Sequence, residues 1–369
     1  VLLGGTLVSP SGAYAQTSYT PQQNGQLIAF PANTNRITNL GFFVDRAATN
    51  YCLWSRDLTN AVWTSVNVTA AKSQSGLVAG EAANQSSLLT SSAINSTCLQ
   101  SITLTSGLYA ASAYIKRVTG TGTISMTMDG ITYTDITSQL NTSTWTWVQI
   151  PTQTLTACVM GFKFGTSGDA IAVDMCQVES TLGSLNIATT PLPCGASTQS
   201  RLNEQDEIGT NNSKNDGQAI VKNIMNSGKP WTMFMSYNGD SSGCMYVSDF
   251  TLNVSCNGGC GGDTLYINSR AAQTANSGNS GRGNWNKAAY RVNGQKASIC
   301  LNGGAIVTYT NANFIAGVSG TSTHLNLGTN GSGSATLTLC GSIGKVFWLD
   351  KECTDGEMIE NTTLYNNVP

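Results

Sequence analysis

The sequence predicts an all-β protein: two tandem, jelly-roll-like β-sandwiches with an extended N-terminal arm and one short C-terminal helix. Three observations predict it. From Asn50 onward, short runs of Val, Ile, Thr, Leu and aromatic residues are separated by Gly, Ser and Asn clusters, the spacing of strands and turns in a sandwich. Two of those runs alternate strictly: Tyr109, Ala111, Ala113 and Ile115 against Leu108, Ala110, Ser112 and Tyr114, and Trp145, Trp147 and Gln149 against Thr146, Val148 and Ile150. Finally, charged and amide residues gather from Arg201 to Asp216, just behind Pro191 and Pro193, and divide the chain. The expected organisation is an arm over 1–49, a first sandwich over 50–194, a linker or opening strand over 195–229, and a second sandwich over 230–369.

A chain of 369 residues has room for two or three domains that each bury a core. Only 10% of its residues are charged and the net charge is -2, so no excess of Lys or Arg exists to neutralise phosphates, and nucleic-acid binding is excluded. No apolar run approaches the ~20 residues of a membrane-spanning helix.

At the amino end, Val1 to Val8 is apolar, and Ala13-Tyr14-Ala15 before Gln16 has the small-x-small pattern of a signal-peptidase site. Two readings stand: a clipped export signal, or a retained assembly arm, which is the expectation adopted. Residues 16–49 are polar and punctuated by Pro21 and Pro31, which predicts an extended segment with little core of its own, suited to packing on a neighbouring subunit.

The stretch Asn50 to Thr64 organises the first sandwich. It reads as an opening strand, a polar turn around Asp57 to Asn60, and Trp63 closing back on the strand as a core residue. In the second sandwich, Trp231 to Tyr237 opens the strands. Ala297–Leu301 and Ala305–Tyr309 form a hairpin about Asn302-Gly303-Gly304, because Asn-Gly favours the positive φ values of a tight turn. Further strands are expected at Thr323 to Gly328 and Ala335 to Leu349. The terminal helix is announced by Thr354-Asp355-Gly356-Glu357, a capping box.

Eleven cysteines are scattered without paired Cys-x-x-Cys knuckles, which argues against zinc and for disulfides in an oxidising setting. The tightest pair, Cys256 and Cys260 across Asn257-Gly258-Gly259, is the disulfide candidate. The alternative is that several cysteines are buried as small hydrophobes.

The run Gly41 to Thr64, with Leu53-Trp54-Ser55-Arg56-Asp57-Leu58-Thr59-Asn60-Ala61-Val62-Trp63-Thr64 at its heart, resembles the start of the carbohydrate-binding-like sandwich modules of tail and head-fibre proteins of tailed phages. The likeness continues at Gln100 to Lys116, Trp145 to Gln149 and Gly168 to Glu179. Those modules carry Glu-Pro where this chain has Asp45-Arg46, and Leu-Leu where it has Tyr51-Cys52. The second half, at Trp285 to Tyr290, Asn302-Gly303-Gly304, Leu325 to Gly328 and Gly344 to Leu349, resembles the concanavalin-like and laminin-G-like sandwiches that recur in phage fibres. The resemblance implies a non-enzymatic virion surface protein, a capsid decoration or a tail or head fibre component. Its partners would be other virion subunits or copies of itself, as a trimer, and cell-surface glycans. The second reading is an exported bacterial adhesin or surface-filament subunit.

Catalysis finds little footing. His324 is the only histidine and no nucleophile motif points to it. The alternating acid motif of concanavalin-like glycosidases is absent, and Asp174 and Glu179, five residues apart, fall on opposite faces of a regular strand. Sugars are held by stacked aromatics together with amides and carboxylates. The aromatics available are Trp54, Trp63, Trp145, Trp147 and Trp285. Trp285, in a Gly-Asn-rich neighbourhood, is expected to be an exposed platform, with Asn238 and Asp240 in a loop as its polar companions. No cofactor is expected; Ca2+ is conceivable near Asp240 or Asp263, although neither lies in a recognisable loop.

Overall fold

The computed structural model describes residues 17–22, 24–31, 36–38, 41–45, 47–74, 76–181, 188–201, 206–208, 229–239, 245–249, 254–258, 264–267, 270–273, 285–310, 325–327 and 341–363. The chain is mostly β and divides into two compact units, one drawn from residues 16–32 and 47–202, the other from 33–46 and 203–369. Each is a β-sandwich.

The residues expected to form an arm pair within the chain itself. β1 (Ser18–Pro21) and β2 (Leu27–Phe30) make a hairpin in the first unit, while β3 (Ile37–Thr38) and β4 (Gly41–Val44) make one in the second. Leu27 is fully buried against Leu77, Val78, Tyr114 and Trp145, so this segment has an apolar attachment that its polar composition conceals.

The first unit continues with β5 (Ala48–Asn50), β6 (Trp63–Val66), β7 (Val68–Gln74), β8 (Ser86–Ser91), β9 (Ser96–Thr119), β10 (Ile124–Thr127), β11 (Thr134–Asp135), β12 (Thr146–Phe164), β13 (Ala170–Ser180) and β14 (Gln199–Arg201). β9 and β12 are long enough to serve both layers. The first half of β9 pairs with β6 and the far half of β12; its second half, from Tyr109, pairs with the near half of β12 and with β13. Register breaks between Ile150 and Gln153 and between Leu155 and Ala157 mark where the strands bend. One layer therefore runs β11-β10-β12-β9-β6 and the other β12-β9-β13-β8-β7. Cys98, Ile102 and Leu104 from one half of β9 and Ala111, Ala113 and Ile115 from the other meet in a single core. Asn67, at φ 55, turns the chain from β6 in one layer to β7 in the other, a conformation that Asn tolerates better than most residues.

The stretch after Asn50 is a series of turns and not the strand expected; the strand is only Ala48–Asn50. The reason is the Asn50 side chain, which is fully buried. Its Oδ1 accepts from the N–H groups of Cys52 (2.9 Å) and Val178 (3.0 Å), while its Nδ2 donates to the carbonyls of Cys176 (3.0 Å) and Leu192 (2.7 Å). One amide thus satisfies four backbone groups that a strand would have paired. Trp63 is buried as expected, and its Nε1 donates to the Trp54 carbonyl at 3.3 Å, closing the turn.

In the second unit, β15 (Asp206–Ile208), β24 (Leu325–Leu327), β17 (Met245–Asp249), β18 (Val254–Gly258), β19 (Thr264–Ile267) and β20 (Arg270–Gln273) form one sheet. β23 (Val307–Thr310), β22 (Lys296–Leu301), β21 (Trp285–Asn293), β16 (Trp231–Gly239), β25 (Gly341–Leu349), β4 and β3 form the other, and β19 and β20 lie against β22 and β23. The Asn-Gly turn is present: Asn302 and Gly303 sit at φ 50 and 72, and Gly304 N–H donates to Leu301 O at 2.8 Å. A second tight turn, at Gly294 (φ 55), joins β21 to β22 and had no counterpart in the sequence reading. Helix α1 (Asp355–Thr362) carries the capping box, with Glu357 N–H on Thr354 Oγ1 (3.2 Å) and Thr354 N–H on Glu357 Oε2 (2.7 Å). Its Met358 packs into a core of Phe234, Ala289, Cys300 and Cys353.

The disulfide expectation is corrected for the described cysteines. Cys52, Cys98, Cys158, Cys176, Cys194, Cys300 and Cys353 are all free and buried, occupying space as small apolar side chains do. Cys256 lies on β18; Cys260 falls outside the described residues.

Candidate functional site

β13 does not keep a regular alternation. Asp174 pairs with Tyr114 and Gln177 with Ser112, so three steps on β13 oppose two on β9, and the extra residue, Met175, sits at φ 51. Core-facing side chains accordingly run Ile171, Val173, Cys176, Val178. The correction to the sequence reading is that Asp174 and Glu179 share a face, because the bulge adds the residue that makes their odd spacing even.

That face is the outer side of β12, β9 and β13. Cross-strand rows can be followed over it: Trp147, Tyr114, Asp174; then Gln149, Ser112, Gln177; then Ala110 and Glu179. A small apolar cluster of Tyr114, Trp145, Ala172 and Met175 lies on it under Leu27, Leu77 and Val78, with Tyr19 and Trp147 partly exposed at its edge. Lys116 places its ammonium 5.6 Å from the Trp145 ring centroid, a cation–π contact.

Both carboxylates on the face are fully engaged. Asp174 accepts from Arg56 Nε and Nη2 (both 2.8 Å), Ser86 Oγ (2.6 Å) and the Met175 N–H (2.7 Å). Arg56 also reaches Glu81 with Nη1 (2.5 Å) and Nη2 (2.8 Å), and its guanidinium lies 5.8 Å from the Tyr19 ring. Burial pulls the Arg56 pKa down, but the hydrogen bonds and charges of Asp174 and Glu81 outweigh it, so the net shift is upward. Lys72 Nζ donates to the carbonyls of Arg56 and Gln85, pinning the same turn. Glu179 accepts from the Thr189 N–H and hydroxyl and from Gln177 Nε2, each at 2.7 Å. The exit segment is laced down further by Leu192 N–H on Gln177 Oε1 and Ala188 N–H on Gln149 Oε1, both 2.8 Å. Neither acid is left in the proton-exchanging, substrate-facing condition that glycoside hydrolysis requires of a carboxylate pair.

The other sequence candidates are placed differently. Trp285 is only 4% exposed and opens strand β21, so it is not the surface platform expected from its Gly and Asn neighbours. Asn238 lies directly across from it on β16, in a strand and not in a loop. Asp240, Asp263 and His324 fall outside the described residues. Among the described residues no cluster of three or more His, Cys, Asp or Glu is positioned to hold a metal ion, and no helix is long and apolar enough to cross a membrane. Trp147 was visible in the sequence as one of a Trp-x-Trp-x-Gln alternation; what singles it out is that its strand neighbour Trp145 is buried while Trp147 is not.

No family model matches this sequence, and no curated protein matches it. Several solved structures are similar to it. The carbohydrate-binding module CBM40 of the Ruminococcus gnavus IT-sialidase is 20% identical and covers 43% of this chain and 94% of its own, at a TM-score of 0.33. The N-terminal CBM22-1–CBM22-2 tandem domain of Paenibacillus barcinonensis Xyn10C is 10% identical over 82% of this chain and 99% of its own, at a TM-score of 0.29. Domains LG4-5 of the mouse laminin alpha1 chain are 9% identical over 85% of this chain and 92% of their own, at 0.27.

Proposed function

We propose that this chain is a non-enzymatic glycan-binding surface protein whose first sandwich holds sugar against Trp147. The observation that carries the reading is a partly exposed indole on a rigid sheet face, with the Tyr19 ring at the edge of the same apolar cluster and the Gln149 amide one row along the same strand. An aromatic plane supplies the apolar contact for a pyranose ring, and flanking amides and hydroxyls order its oxygen atoms. The engaged state of Asp174 and Glu179 supports attachment without turnover.

We further propose a tailed-phage virion as its setting, as a decoration or fibre component that associates with other virion subunits or with itself. The support is the resemblance of Gly41–Thr64, Gln100–Lys116, Trp145–Gln149 and Gly168–Glu179 to phage fibre modules. A glycan array probed with the full chain tests the first proposal. Trp147→Ala is expected to weaken binding to any captured glycan roughly tenfold, the loss of one stacking contact of about 1.5 kcal/mol. Undiminished binding by that variant moves the site elsewhere. Peptide mass spectrometry of purified virions tests the second, since a bacterial adhesin would be found on the cell surface instead.

A further inference from the structure

The core of the first sandwich holds a group of thiols that a glycan-binding face does not require. Cys52, Cys98, Cys158 and Cys176 share one apolar cluster, and Cys194 is buried beside it with its thiol on the carbonyls of Asn50 (3.4 Å) and Leu192 (3.6 Å). Burial pushes the thiols of Cys98 and Cys158 up to about 12 and that of Cys194 up to about 11.

Cys52 and Cys176 stand apart from the others because their side chains are in hydrogen-bond contact with each other. Their backbones are also fastened together. The Asn50 amide links the Cys52 N–H to the Cys176 carbonyl, Cys176 N–H donates to Ser55 O at 2.9 Å, and Tyr51 N–H donates to Val178 O at 2.9 Å. Both thiols have fully buried side chains facing the same core, so the contact cannot open without breaking the bonds that shape the turn.

We propose that Cys52 and Cys176 are a disulfide-forming pair, oxidised by a low-molecular-weight disulfide such as oxidised glutathione. One cysteine of the pair loses its proton to solvent and its thiolate attacks a glutathione sulfur, breaking that S–S bond and releasing one glutathione thiolate. The second cysteine, deprotonated in turn, attacks the protein sulfur of the mixed disulfide and releases the other. Two electrons pass from the protein to glutathione, and two protons leave the pair. The new bond closes a loop of roughly 120 residues, a length at which cross-linking strongly restricts the unfolded chain. It ties the Asn50–Ser55 turn to the β13 bulge, the two elements that set the outer face. Because burial disfavours the thiolate, the reaction is slow at neutral pH and quickens as pH rises.

The test is to hold the full chain with oxidised glutathione at roughly pH 8.5, alkylate in denaturant, and map unreduced peptides by mass spectrometry. The expected product joins the Cys52 and Cys176 peptides with loss of two hydrogens, while Cys98, Cys158 and Cys194 are alkylated. Tm is expected to rise by roughly 10 °C on oxidation, a rise that Cys52→Ala and Cys176→Ala abolish and Cys194→Ala keeps. Alkylation of both Cys52 and Cys176 after oxidation, or a bond from Cys52 to Cys194, overturns the proposal. The peptide map uses the unmutated chain, so it decides the pairing even where a variant fails to fold.

Discussion

Asn50 shows how much of a fold one side chain can hold. Its amide spends two acceptor and two donor positions on four buried backbone groups drawn from three parts of the chain. Removing it leaves those groups without partners in a place water does not reach, where each costs on the order of 1–3 kcal/mol before relaxation. Asn50→Ala is therefore expected to lower stability by about 4 kcal/mol in urea unfolding; a loss under 1 kcal/mol would mean that the turn finds other partners. Asn50→Asp gives a sharper measurement. It keeps the acceptor oxygen but sets a carboxylate against the carbonyls of Cys176 and Leu192, which favours the protonated form and raises its folded-state pKa above the unfolded value. The folded state then binds more protons than the unfolded state, so the variant's deficit against the parent should be smallest at low pH and grow as pH rises through the raised pKa. A deficit independent of pH would show that the carboxylate is solvated.

Legibility at the scale of elements depended on whether an element's signal was local. The Asn302-Gly303 turn and the Thr354 capping box were readable because both are local: the first needs two residues at positive φ, the second a hydroxyl and a carboxylate three apart. The alternation of β12 was readable for the same reason, with Val148 and Ile150 in the core and Trp145 and Trp147 on the opposite face. The β13 bulge was not, because Met175 takes its conformation from bonds made by Asn50 and Ser55, more than a hundred residues upstream. That single insertion reversed the relative facing of Asp174 and Glu179 and, with it, the geometry of the candidate site. Trp285 misled in the opposite way: its Gly and Asn neighbours describe a loop, but pairing with Asn238 draws it into a strand and buries it. Where the signal is local, a local change should have a bounded effect. A Cβ at Gly303 would lie 2.6 Å from Thr363 Oγ1 and 3.2 Å from its Cα, at a φ of +72 that L side chains resist. Gly303→Ala should cost about 2 kcal/mol and loosen the end of α1, lowering Tm by roughly 5 °C. An unchanged Tm would show that Thr363 yields without cost.

On the scale of the whole molecule, the two sandwiches are closed systems with respect to the interactions that shape them. The core around Cys176 and the core around Met358 draw on separate stretches of sequence, and the Arg56 network and the Thr354 cap likewise close within one unit each. Cooperativity follows buried contacts, so a chain built this way should melt in two steps. Two variants assign the steps. Arg56→Met strips Asp174, which is fully buried, of its bidentate partner, and an uncompensated buried carboxylate costs about 3 kcal/mol even with Ser86 and the Met175 N–H still in place. Gly303→Ala acts only on the second unit. In calorimetry of the full chain, Arg56→Met should move one transition down by roughly 10 °C and Gly303→Ala the other by about half as much, each leaving its companion within about a degree. If either variant instead drags both transitions together, the sandwiches fold as one cooperative body, and binding measured at Trp147 could not be ascribed to the first of them alone.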